Sequence, residues 1–236
     1  MSLAGAGAFF FRYRDLLVPL ACALVLVPGP RLATNPAGPL LVGTLLALAG
    51  QGVRALTIGL QYIVRGGRSR RVYAEDLVTE GVYAHTRNPM YVGNMLIVAG
   101  IGLAANSWSC LVLAASLAAL VYEAIVRAEE RFLRSKFGHV YDTYALAVPR
   151  WTLRCRGLRA TLVRGQFHWR RLLVKEYGTT AALILALCAA ACVSFVRSTG
   201  AVPAGPARAL VACAGVAVAF WATVRWLKKS RTLVAD

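Results

Sequence analysis

Residues 81–93, GVYAHTRNPMYVG, gather His85, Arg87 and Asn88 directly ahead of Pro89 and an apolar run. Pro89 suits the first turn of a helix, and Gly81 can take backbone angles that other residues avoid. The N-terminus of such a helix exposes free N–H groups and partial positive charge, which favours an anion or a carboxylate. One hairpin later, residues 122–151 read YEAIVRAEERFLRSKFGHVYDTYALAVPRW, with Glu129 and Glu130 side by side. Paired carboxylates facing His, Arg and Tyr donors suit a zwitterionic or cationic ligand: the acids hold ammonium or sulfonium, the donors hold carboxylate. The same spacing also fits plainer roles. Tyr83, Arg87 and Tyr91 could anchor an interface, and Glu130 with Arg134 could be a solvated i,i+4 pair worth a few tenths of a kcal/mol.

The elements that position these residues are membrane helices. The chain has 236 residues, 58% of them hydrophobic, a formal net charge of +17 and a mean hydropathy of +0.58. A soluble basic protein does not combine these values, and no zinc-finger, RNP or basic-zipper pattern occurs, so nucleic-acid binding is set aside. The six cysteines form no CxxC pair and lie mostly in apolar runs, so neither disulfides nor a metal site is inferred. His139 and His168 show no metal-type spacing and read as interfacial residues.

A helix needs about 20 mainly apolar residues to cross a bilayer. Six runs approach that length: 15–30, 39–62, 89–105, 108–127, 179–197 and 207–226. The first, broken by Pro19 and without a clean cleavage site, is taken as a retained span. If the N-terminus, residues 65–88, residues 127–178 and the C-terminal tail face the cytoplasm, all but Arg31, Arg54, Arg197 and Arg208 of the 27 basic residues lie on that side or at its edge. Both termini are then cytoplasmic, and ANSW (Ala105–Trp108) is a tight turn on the far side. Residues 151–178 are too charged to cross. Leu158, Leu162, Trp169, Leu172 and Leu173 recur at near-helical spacing there, so an interfacial amphipathic helix anchored by Trp151 and Trp169 is expected, with a basic linker as the alternative. Arg54, a charge inside a span, shares a face with Gln51, Ile58 and Gln61. It either lines a polar acceptor pocket or snorkels toward the cytoplasmic surface.

The stretch LVTEGVYAHTRNPMYVG, followed after one hairpin by AEERFLRSKFGHVYDTYALAVPR, resembles the integral membrane methyltransferases of the isoprenylcysteine carboxyl methyltransferase and phospholipid N-methyltransferase superfamily. The resemblance covers roughly residues 40–150. It implies an all-α transmembrane bundle that binds S-adenosylmethionine without a Rossmann domain, in a cytoplasm-facing pocket, and receives a lipid-like or prenyl-like acceptor from the bilayer. By the same resemblance Tyr83, Arg87, Asn88, Pro89, Tyr91 and Gly93 form one wall, with His85 beside them, and Glu129 and Glu130 bind the cofactor. Tyr141, Tyr144 and Arg150 complete the lid or acceptor side. Separately from the resemblance, the helical face shared by residues 51, 54, 58 and 61 adds Gln51 and Arg54 as substrate-side residues. Two positions depart from the carboxyl methyltransferases: Asn88 stands where they usually have His, and Leu146 and Ala147 stand where a basic residue precedes Val-Pro.

The expected organisation is a first span (1–38), a methyltransferase core (39–150), a basic interfacial segment (151–178) and a C-terminal hairpin (179–236). The hairpin would cover the acceptor groove or brace the bundle or a homodimer. The expected reaction is methyl transfer to a lipid-like acceptor at the cytoplasmic interface, as in isoprenylcysteine carboxyl O-methylation. An aminophospholipid amine and a small thiol are alternative acceptors, with Glu130 and Tyr144 helping deprotonation where an amine requires it. A non-enzymatic membrane bundle is the rival class.

Overall fold

In a computed structural model, the described residues are 7, 9–12, 23–60, 74 and 76–234. Besides the helical residues 9–12, they form seven α-helices and no strand: α1 (Ala37–Leu60), α2 (Pro89–Ala104), α3 (Trp108–Phe137), α4 (His139–Ala147), α5 (Leu158–Arg164), α6 (Trp169–Thr199) and α7 (Ala204–Lys229). Short 3-10 turns stand at Leu24–Leu26 and Gly81–Ala84. α1, α3, α6 and α7 are long and apolar enough to cross a membrane. α2 has 16 residues, about 24 Å at 1.5 Å per residue, shorter than the hydrocarbon core. Part of the expected first span, the 65–73 loop and Gln61 lie outside the described residues.

Local chemistry sets the helix ends. Asn35 Oδ1 accepts the Ala37 N–H at 2.9 Å where α1 begins. Pro89 occupies the first turn of α2, where a missing N–H leaves no bond unmade. The turn between α2 and α3 is as tight as expected. Asn106 adopts φ 51°, and its side chain both accepts from Ala33 N–H and donates to Ala33 O at 2.9 Å. Ser107 Oγ then accepts the Cys110 N–H at 3.3 Å and caps α3.

α1 and α2 approach closely because small residues line both faces, as membrane helices need when no hydrophobic effect drives them together. A Cβ added at Gly100 would stand 2.5 Å from Gly43 O and 2.6 Å from Ala47 N, and one at Gly50 would stand 2.5 Å from Gly93 O. α6 packs against both helices, and α7 against α6. Leu41, Leu45, Leu48, Val112, Leu120, Val211 and Val216 face outward, as lipid-facing side chains would.

Two expected boundaries differ. α3 runs to Phe137, ten residues beyond its apolar stretch, so Glu129 and Glu130 sit on the span's own rigid extension. The 151–178 segment is not one interfacial helix: α5 covers Leu158–Arg164, and after Gly165–His168 the charged residues from Trp169 onward are the first turns of α6 itself. Hydropathy marks where apolar character stops, whereas Arg170, Arg171, Leu172, Leu173 and Lys175 are good helix formers that let the helix start earlier.

Candidate functional site

The polar mouth ahead of α2 is held by the loop after α4. Arg87 N–H donates to Pro149 O at 3.0 Å, and Arg154 N–H to His85 O at 2.9 Å. Asn88 Nδ2 and the Thr86 hydroxyl both donate to Arg150 O, at 3.2 and 3.4 Å. His85 is buried. Its Nδ1 lies 2.7 Å from Arg154 O and its Nε2 2.9 Å from Thr161 Oγ1. A carbonyl only accepts, so Nδ1 carries the proton. Both ring nitrogens are engaged in joining the mouth to α5, and His85 is therefore part of the clasp rather than an open cofactor ligand.

α3 presents its carboxylates to this clasp. Arg150 grips Glu130 with both arms of its guanidinium, Nε to Oε1 at 3.0 Å and Nη2 to Oε2 at 2.6 Å. Arg87 Nη2 lies 3.4 Å from the same Glu130 Oε1. The hydrogen bond to Glu130 is the main reason the Arg150 pKa lies above its ordinary value. Glu123, two turns earlier on α3, accepts from Arg150 Nη1 and Trp151 Nε1 at 3.0 Å each and from Arg127 Nε at 2.7 Å. The Tyr91 hydroxyl donates to Glu129 at 2.9 Å and its ring stacks on Tyr122 at 5.1 Å. Arg87 Nε is buried without a partner.

Arg87, Asn88, Tyr91, Glu129, Glu130 and Arg150 thus meet at one place, as the two motifs suggested. Other expected members have different surroundings. Tyr141 is 1% exposed and packs with Leu133, Tyr144 and Val148. The Tyr144 hydroxyl donates to Tyr83 O at 2.8 Å, so it ties α4 to the mouth. Pro89 is buried in the first turn of α2. Gly93 faces α1, where an added Cβ would meet Gly50 O at 2.8 Å and Arg54 Cγ at 2.7 Å.

Gln51 and Arg54 belong to a separate cluster deeper in the bundle. Arg54 Nη2 and Nε grip Glu176 of α6 at 2.6 and 3.0 Å, and its Nη1 donates to Asn94 of α2. Gln51 Nε2 donates to Glu176 Oε2 at 3.2 Å and Thr180 Oγ1 at 3.0 Å. Arg54 therefore neither snorkels nor stands open to an acceptor, because a buried carboxylate neutralises it in place. Sequence reasoning missed Glu176, Glu123 and the indole of Trp151. Glu176 had a signal: it is the only acid between residues 143 and 235, and Arg54 the only charge in α1. Glu123 had one too, seven residues before Glu130 and so on the same helical face.

Comparisons with known proteins come to the same region. Residues 37–140 match the family model described as phospholipid methyltransferase. Over 127 residues the chain is 34% identical to the cobalt-zinc-cadmium resistance protein CzcN of Cupriavidus metallidurans, covering 53% of this chain and 54% of that one. It is 31% identical over 105 residues to the nickel-cobalt-cadmium resistance protein NccN of Alcaligenes xylosoxydans xylosoxydans, covering 44% and 48%. The matched stretch thus spans about half the length of these curated relatives. No solved structure matches.

Proposed function

We propose, from the match of residues 37–140 to the phospholipid methyltransferase family model, that the protein transfers a methyl group from S-adenosylmethionine to a lipid-like acceptor at the cytoplasmic interface. One observation carries the reading: Arg87 and Tyr91, at the mouth of α2, reach Glu130 and Glu129 of α3, while Arg87 Nε is buried with no partner. A buried donor without an acceptor is costly, and a ligand carboxylate would satisfy it. The neighbouring acids suit the cationic parts of the same zwitterion, so the residues present fit S-adenosylmethionine. When bound, that cofactor supplies a methyl group already activated on sulfonium.

Activation being supplied, the protein mainly has to align and to exclude water. Arg87 would hold a carboxylate, and Glu129, fixed by Tyr91, would face an ammonium or ribose hydroxyl. Arg150 and Glu123 keep the Glu130 carboxylate from swinging. The engaged arginines favour one acceptor class over another. Arg54 is paired with Glu176 and Arg150 with Glu130 and Glu123, so neither of these two arginines stands open to an acceptor carboxylate. An amine or thiol nucleophile fits that arrangement better than the carboxylate of isoprenylcysteine O-methylation.

Titration of the detergent-purified protein with S-adenosylmethionine by calorimetry, repeated with Arg87→Ala and Glu129→Gln, tests the pocket. Incubation with methyl-labelled cofactor and a lipid extract tests the reaction. Saturable binding lost in both variants, with label in the organic phase, is expected. Folded wild-type protein that binds no S-adenosylmethionine would return the chain to the non-enzymatic bundle reading, which tolerates both substitutions.

A further inference from the structure

The end of the bundle opposite the Arg87–Glu130 site carries a polar cluster for which methyl transfer has no use. On α6, Leu183, Leu187, Ala190, Ser194 and Arg197 recur every three or four residues and form one stripe. Leu183, Leu187 and Ala190 pack with Val25 in the core, so the stripe faces the bundle while turning polar over its last turns. Arg197 is fixed there, its Nη2 donating to Val27 O at 2.7 Å and Val25 O at 3.0 Å. Its Nη1 is nevertheless buried without a partner, and so are the hydroxyls of Ser194 and Ser198. Ser194 is 0% exposed. Arg31 lies alongside, donating from Nη1 to Arg197 O at 3.5 Å. The Arg31 side chain therefore reaches the backbone of Arg197, and neither arginine pairs with a carboxylate among the described residues. The sequence offers none nearby: no acid occurs in 16–74, 81–122 or 177–235.

We propose that Arg197, Ser194 and Ser198, with Arg31, form a binding site for a phosphate-type oxyanion. Such an anion offers several acceptor oxygens at once. It would accept from Arg197 Nη1 and both hydroxyls while its charge offsets the two arginines. The site lies at the end of α6, beside the segment leading into α1, where a membrane-spanning bundle meets the headgroup layer. A phosphodiester of an anionic lipid is thus the natural occupant, and free phosphate presents the same oxygens.

Thermal unfolding of the full-length protein tests this, first in nanodiscs of phosphatidylcholine with and without phosphatidylglycerol, then in detergent with inorganic phosphate or with chloride at equal ionic strength. Phosphatidylglycerol is expected to raise the midpoint by about 5–10 °C, the shift produced by a ligand at about a hundred times its Kd in a chain of this size. Arg197→Gln and the double variant Ser194→Ala/Ser198→Ala should each lose most of that shift. Should Arg197→Gln fail to fold, the serine variant carries the test, because it leaves every charge in place. A comparable rise with inorganic phosphate but not chloride, lost in the same variants, supports the site with free phosphate as occupant. A shift that survives in the serine variant, that chloride reproduces, or that is absent from the wild type in every condition overturns the proposal.

Discussion

Replacing Glu176 with Leu leaves Arg54 charged and buried without its carboxylate. The two side chains are 10% and 5% exposed, all four donor–acceptor contacts that involve Glu176 or Arg54 run between helices, and the three to Glu176 are 3.2 Å or shorter. Removing one partner of a buried pair costs about 3–5 kcal/mol, since the other charge stays desolvated. At about 2–4 °C per kcal/mol for a chain of this size, the thermal midpoint in detergent should fall by about 6–20 °C. Arg54→Met/Glu176→Leu removes both charges and fills the space with apolar atoms, which is often nearly neutral. Gln51, Asn94 and Thr180 then lose partners at about 1–3 kcal/mol for a buried orphan, so the double variant should be destabilised, but less than Glu176→Leu alone. A double-mutant cycle across the four proteins reads the coupling. Coupling near zero, with the double variant costing the sum of the singles, would refute the claim that this pair locks α6 onto α1.

Asn106→Ala should cost about 2–4 kcal/mol, from two hydrogen bonds to Ala33 and an unfavourable positive φ, while Asn106→Gly recovers only the backbone part; unfolding of both variants against wild type separates the two. Gly100→Leu should cost at least about 1–3 kcal/mol by forcing α1 from α2, and an unchanged midpoint would contradict the close approach. Arg150→Lys replaces a fork with a point charge and should weaken S-adenosylmethionine binding roughly tenfold by calorimetry, through a less rigid Glu130. The Arg150 pKa is raised, so its contribution is fully present below the ordinary arginine value and is lost only as pH rises through the still higher folded value. Wild-type binding should therefore show no limb from Arg150 between roughly pH 6 and 10.

The sequence made the apolar extents of the helices legible because lipid imposes length and hydropathy directly. It also made the Arg87–Glu130 meeting legible, since a short turn at Asn106 brings the two helices back to the same end. What it hid was long-range pairing. Nothing local at Glu176 names Arg54, and only counting the scarce acids would have matched them. His85 was misjudged for a related reason: a histidine beside a helix mouth suggests a ligand, but its two hydrogen-bond partners lie on the loop after α4 and on α5, about seventy residues away. Arg150 was seen as a lid residue, while its third contact, Glu123, lay inside what hydropathy alone treats as a span.

The clasp between residues 85–88 and 149–154 also has an order in time. During synthesis the mouth of α2 emerges some sixty residues before the carbonyls of Pro149 and Arg150 that receive the Arg87 N–H and the Asn88 amide. A nascent chain stopped at residue 148 would contain the whole family-matched stretch, yet the Arg87 N–H, the Thr86 hydroxyl and the Asn88 amide would lack the carbonyls that receive them. The site is therefore completed late, by the folding-back of a segment that lies beyond the stretch matched by the family model. Truncations at the edge of that core should yield inserted helices with an unlatched mouth, open to proteases at 81–88.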